Sequence, residues 1–359
     1  PGTVTVHRHK ALKERADRRA KERSSVFMQL YNQVRAIDAS TLCRRERAFK
    51  VKFAGEAADD HGGPYREVFT VLASELENVN VLPLLIQTPN GVHNVGSNRD
   101  RYLLNPSATS AEELAQFEFV GMLMAIALMQ KETVIAINLS SVVWKYLVQE
   151  VADESDLAQF DEMVNQSLHK IERIDEEGVD EAMFTDLIFE CFTTQLSNGV
   201  EVPLCEGGAA MDVTWHNRSR YCALVRKARL GESRAQAMAI LKGINALLPA
   251  RLLPLFTHQE IELMMCGSGD IDLRVLRSHT RFGVSVDPNE RHISILWEVL
   301  ELFSAEQRKM FLTFIWGRNR LPATEEDWGE QSMKIHTFEC NDPDGHMPVS
   351  HTCFFSMEW

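Results

Sequence analysis

The sequence predicts an α+β protein, with a large, mainly helical part carrying small β elements and then a small α/β part. Three observations lead there. Helix signals recur along most of the chain, with a Ser or Thr followed three residues later by Glu or Gln at Ser110/Glu113, Thr257/Glu260 and Ser304/Gln307. Strand-like alternation is confined to short runs such as Ala48-Phe49-Lys50-Val51-Lys52-Phe53 and Lys334-Ile335-His336-Thr337-Phe338. A break at Gly317, Arg318, Asn319, Arg320, Leu321 and Pro322 leaves only about forty residues, too few for an independent core.

Taken in order, residues 8–31 read as a helix, basic and solvated at first and then apolar through Val26, Phe27, Leu30 and Tyr31. The 48–53 strand ends at Gly55 and runs into the polar turn Gly62-Gly63-Pro64, and residues 65–77 read as a helix with Pro64 near its first turn. The helix after Ser110 carries Leu114, Phe117, Gly121, Met124 and Leu128 at helical spacing, and residues 139–151 form the next. An acidic region, 153–198, holds apolar clusters around Leu168 and Ile171 and around Phe189 and Phe192. Helices follow at about 217–248, from Thr257 to Cys266, and over 290–303 and 305–316.

The chain has 359 residues, is 45% hydrophobic and carries a formal charge of -13, which argues against nucleic acid or an anionic membrane as partner. Its longest apolar stretch, 119–129, is too short to span a bilayer. Seven cysteines, an odd number without a CxxC pair, suit reduced thiols in the cytoplasm or nucleus better than a disulfide scaffold. No phosphate-binding loop appears, and no cofactor is expected.

Cys353 is the candidate nucleophile. It sits in His351-Thr352-Cys353-Phe354-Phe355, after a polar, proline-containing loop beginning Met347-Pro348. Exposure, small polar neighbours and an adjacent imidazole let a cysteine ionise and attack an electrophile. On this segment alone the competing reading is a buried strand residue ahead of Phe354-Phe355. A reading from another class is a metal site built from Cys340, His346, His351 and Cys353, although their spacing follows no standard zinc pattern. Cys266, after an apolar helix, reads as helix-end packing.

These residues also carry a resemblance. Val51-Lys52-Phe53-Ala54-Gly55-Glu56 and Asp60-His61-Gly62-Gly63-Pro64-Tyr65-Arg66-Glu67 resemble the entry signature of HECT-type ubiquitin ligases. Glu262-Leu263-Met264-Met265-Cys266-Gly267, Trp297-Glu298-Val299-Leu300, the 317–322 segment and the Thr352-Cys353-Phe354 loop match in the same order, and the last two lean toward the HERC-like branch. The resemblance implies a bilobal fold: an N-lobe over 1–316, a hinge at 317–322 and a C-lobe over 323–359. It implies transfer of ubiquitin from a conjugating enzyme to Cys353 as a thioester, and then to a substrate lysine. It also implies a subdomain at about 153–198 that docks the conjugating enzyme, with Leu168, Ile171, Phe189 and Phe192 as candidate contacts, although local core packing explains any one of them equally well. His351 is then either a helper for the thiolate or the lysine proton, or a plain exposed side chain. Thr352 either bonds near the thioester oxygen or steadies the loop. Members of that family continue past the cysteine, so the C-lobe is expected to be incomplete here and the activity of this polypeptide is left open. A catalytically silent scaffold of the same fold is the alternative.

Overall fold

The computed structural model describes residues 2–8, 25–44, 47–55, 63–130, 133–284, 286–337 and 347–358. The basic half of the expected first helix, Asp60 to Gly62, Phe338, Cys340, His346 and the Asp342-Pro343-Asp344-Gly345 turn lie outside the described residues. Mixed helix and small sheets agree with the predicted class. Buried apolar side chains fall into two clusters, one drawn from Val4 to Cys266 and one from Ile271 to Met357.

The first cluster begins with β1 (Thr3–Val6) parallel to β2 (Lys50–Phe53), whose alternation turns Val4, Val6, Val51 and Phe53 inward. Two hairpins sit at its margins, β3 (Leu85–Gln87) with β4 (Tyr102–Leu104) and β5 (Thr193–Gln195) with β6 (Glu201–Pro203). Its axis is the Ala111–Met129 helix, started by the expected capping box of Ser110 and Glu113. That helix crosses the Arg234–Leu247 helix backbone to backbone. A Cβ on Gly121 would lie 2.0 Å from the Ile240 carbonyl oxygen, and one on Gly243 would lie 1.8 Å from that of Glu118. Only glycine permits so close an approach.

The second cluster packs the Arg291–Leu302 and Ala305–Trp316 helices on a four-stranded sheet. The strand order is β7 (Thr280–Phe282), β8 (Met333–His336), β10 (Ser356–Glu358), β9 (Val349–His351). β8 runs parallel to both β7 and β10, while β9 pairs antiparallel with β10 at the sheet edge.

This arrangement corrects the expected hinge. Residues on both sides of 317–322 share one core, and the break between the clusters falls between Cys266 and Ile271. The segment is a buried strap. Gly317 closes the preceding helix at φ 76°, Arg318 stacks 3.5 Å over Trp316, and Leu321 is 2% exposed. Arg320 donates to the Asn138 side chain at 2.5 Å and to the Gly267 carbonyl at 3.3 Å, while the Ser268 amide donates to the Leu321 carbonyl at 3.1 Å. Gly, Asn, Pro and two arginines read as an exposed break because composition does not show that both guanidinium groups have buried partners. Glu77 completes this polar joint. It accepts from the Asn138 backbone and side chain at 2.7 and 3.0 Å, and burial pushes its carboxyl upward while those bonds and Arg320 pull it back.

An aromatic column supports the strap from inside. Trp316 and Phe355 stack at 3.8 Å and 2°, Trp328 lies 5.5 Å from Trp316, and His279 stacks on Trp328 at 3.9 Å. Two expectations follow. Gly243→Ala should lose about 2 kcal/mol or more in guanidinium unfolding, whereas Gly231→Ala, with open space at its Cβ, should lose nothing. Phe355→Ala should cost about 3 kcal/mol, because Phe355 is 3% exposed and fills the column. An unfolding midpoint unchanged by either Gly243→Ala or Phe355→Ala would contradict the corresponding reading.

Candidate functional site

β9 and β10 face each other with His351 opposite Ser356, so residues 352–355 form the loop of a hairpin. Thr352, Cys353 and Phe354 make one 3-10 turn, and Phe355 ends it in the left-handed region at φ 49°, ψ 54°. A bulky residue there is strained, and the stack of Phe355 on Trp316 holds it in place. The sequence folds this way because the apolar ring after the turn has a partner in the core and the polar residues before it have none. Cys353 is therefore half-buried at a loop tip rather than within a strand.

The turn rests on the first unit. Gly63 opens the Gly63–Leu76 helix, and a Cβ there would stand 2.5 Å from Cys353 Sγ and 3.1 Å from Thr352 Oγ1. One helical turn later, Arg66 Nη2 donates to the carbonyl oxygens of Thr352 and Cys353, each at 3.3 Å. Thr70 continues the contact by donating to the Gly317 carbonyl at 3.0 Å. Gly63 and Arg66 belong to the Asp60–Glu67 motif, in which the resemblance implies no role for either. No pattern along the chain shows that residues 63 and 353 meet.

His351 points elsewhere: its Nε2 lies 3.7 Å from a Glu358 carboxylate oxygen, and its side chain is half exposed. Thr352 acts on the site through its carbonyl, which accepts from Arg66. Of the alternative metal set only His351 and Cys353 are described, and the described residues hold no cluster of three or more such ligands.

The other thiols differ chemically. Cys266 is fully buried, with Sγ 3.6 Å from the Ile137 carbonyl oxygen, and burial pushes it up to about 12. Burial likewise pushes Cys222 up to about 12. Such thiols stay protonated and inert, which agrees with reading Cys266 as packing.

In the 153–198 region the structure divides the four expected docking residues. Leu168 is 3% exposed and Phe192 is fully buried, its ring 5.6 Å from that of Tyr221. These two take the core-packing alternative, a choice that apolar clustering alone could not make, because helical and loop apolar residues look alike before packing. Ile171 is half-buried and lines a groove with Val164, Tyr221 and Val225. Phe189 is 84% exposed, next to half-exposed Met183 and Leu187 on the Glu181–Leu187 helix. The missed residues Met183 and Leu187 carried a legible signal, an apolar pair four residues apart on a short acidic helix. The region is held rigid underneath by Arg229, which bonds Asp161 at 2.8 Å and Glu232 at 3.1 Å while nearly fully buried.

A family model for the HECT-domain (ubiquitin-transferase) matches residues 78–359. The chain is 36% identical over 335 residues to the E3 ubiquitin-protein ligase HERC2 of Mus musculus and of Homo sapiens, covering 93% of this chain and 7% of those proteins. It is 30% identical to the probable E3 ubiquitin-protein ligase HECTD4 of Homo sapiens over 371 residues, 93% of this chain and 9% of that protein. It is 27% identical to the E3 ubiquitin-protein ligase RSP5 of Emericella nidulans, over 92% of this chain and 39% of that protein. The chain thus spans a small part of these relatives' length, and with most of its residues inside the family model it belongs to the HECT-domain family of ubiquitin transferases.

Proposed function

We propose that this chain is a ubiquitin-transferring unit in which Cys353 receives ubiquitin from a conjugating enzyme and passes it to a substrate lysine. The observation that carries this is the half-exposed Cys353 thiol at a hairpin tip, within the span matched by the family model. In the first step the Cys353 sulfur attacks the thioester carbonyl carbon of the incoming ubiquitin. The new C–S bond replaces the old one, and the conjugating enzyme's sulfur leaves with the electron pair. In the second step the lysine nitrogen attacks the same carbon, Cys353 sulfur leaves, and the ammonium proton passes to a base. Neither step consumes a nucleotide.

The proposed partner surface for the conjugating enzyme centres on Phe189, with Met183, Leu187 and Ile171 beside it. An exposed aromatic ring next to apolar side chains, on an acidic scaffold, suits docking of a protein surface. A reducing compartment, cytoplasm or nucleus, fits a nucleophile that works as a free thiol.

The covalent relay is read on a non-reducing gel with activating enzyme, ATP, ubiquitin and a panel of conjugating enzymes. A thiol-sensitive ubiquitin adduct should form with the wild-type chain and with Cys266→Ala, and disappear in Cys353→Ala. An adduct that survives Cys353→Ala would refute the nucleophile. No adduct with any conjugating enzyme would favour the silent scaffold.

Docking is tested separately. Phe189→Ala should slow adduct formation about fivefold or more and leave stability within about 0.5 kcal/mol of wild type. Phe192→Ala should instead cost about 3 kcal/mol of stability, as a buried ring does. Equal loading by Phe189→Ala and wild type would remove this surface from the reading.

A further inference from the structure

The amino end of the Gly63–Leu76 helix meets the Thr352–Phe354 turn with no side chain of the described residues between them. Gly63 is the reason. Any Cβ at that position would sit 2.5 Å from Cys353 Sγ and 3.2 Å from the Cys353 amide nitrogen, so a larger residue would force the Cys353 side chain to give way. Arg66, 8% exposed, holds the same turn by two carbonyl oxygens at 3.3 Å. Thr70 binds the Gly317 carbonyl at 3.0 Å, so three positions on one helix face grip the turn and the end of the helix beneath it.

We propose that Gly63 and Arg66 are positioning residues: they form a seat that holds the Cys353 turn on the first unit while the acyl group passes from Cys353 to lysine. The proposal rests on the transfer reading above. It concerns the second step because the seat leaves one face of the sulfur covered. Loading must bring a thioester on a separate, bulky protein up to Sγ. Discharge needs only an amine, which approaches a carbonyl carbon one bond beyond Sγ. During discharge the lysine N–C bond forms, the C–S bond breaks, and its electron pair returns to the Cys353 sulfur. Fixing the turn by its carbonyls fixes that carbon, and orientation of this kind is worth large factors in rate. Arg66 suits the task because a planar guanidinium at a set angle can serve two acceptors, whereas an ammonium is a point charge on a flexible stem.

Two measurements test this, and the first needs no ubiquitin. Gly63→Cys treated with oxidised glutathione should form an intramolecular disulfide with Cys353, since a small shift brings the pair within disulfide geometry. The same variant with Cys353→Ser should not. The second follows a preformed Cys353–ubiquitin thioester discharging onto free lysine. Arg66→Ala should slow this discharge about tenfold while loading changes less than about threefold, and Arg66→Lys should recover part of the loss. Failure of the cross-link would overturn the seat, as would wild-type discharge by Arg66→Ala. Loading and discharge falling together with a lowered unfolding midpoint would assign Arg66 a structural role and overturn the proposal. A cross-link in a chain whose wild type takes up no ubiquitin would uphold the seat's geometry and refute the ligase reading.

Discussion

The candidate site depends on one contact, the stack of Phe355 on Trp316 at 3.8 Å. Phe355 follows the cysteine turn by a single residue and holds a left-handed backbone that an unpartnered phenylalanine would not keep. Trp316 ends the helix that leads into the strap, and Arg318 covers it at 3.5 Å. Strap, turn and sheet are therefore organised around one indole. Aromatic rings suit this role because they bury large areas with few rotatable bonds and keep a defined geometry.

A second constraint acts from the other unit. The two hydrophobic clusters are separate, yet the surface between them is crossed by polar bonds: Arg66 to the turn, Thr70 to Gly317, Arg320 to Asn138 and Gly267, Ser268 to Leu321. Directional bonds of this type specify one docking geometry while contributing only modest net stability, since each replaces a bond to water. Glu77 lies in this joint, where burial pushes its carboxyl up while the bonds from Asn138 and the charge of Arg320 pull it back. Apolar packing holds each unit together, and hydrogen bonds set how the thiol-bearing turn meets the other.

The cysteines show how environment separates equal chemistry. Cys266 and Cys222 are raised to about 12 by burial, which removes them from nucleophilic chemistry. Cys353 instead stands half-buried at the tip of a hairpin loop, between the sheet edge and a glycine. The acidic region is divided by the same logic. Leu168 and Phe192 are drawn into the core, and Phe189, three residues from Phe192, is left in solvent beside Met183 and Leu187.

Much of the protein was legible from local order. The capping boxes at Ser110, Thr257 and Ser304, the short strands and the family were readable because each rests on neighbouring residues or an ordered set of short motifs. Caps act within one turn, and strand alternation needs only a partner face, so such signals survive without tertiary information. Tertiary structure alone decided three matters: that residues 317–322 are a buried strap, that Leu168 and Phe192 are core, and that Gly63 and Arg66 meet Cys353. Each depends on what lies opposite a side chain across a long sequence separation. Burial and partnership belong to pairs of surfaces, and a linear pattern describes only one surface at a time.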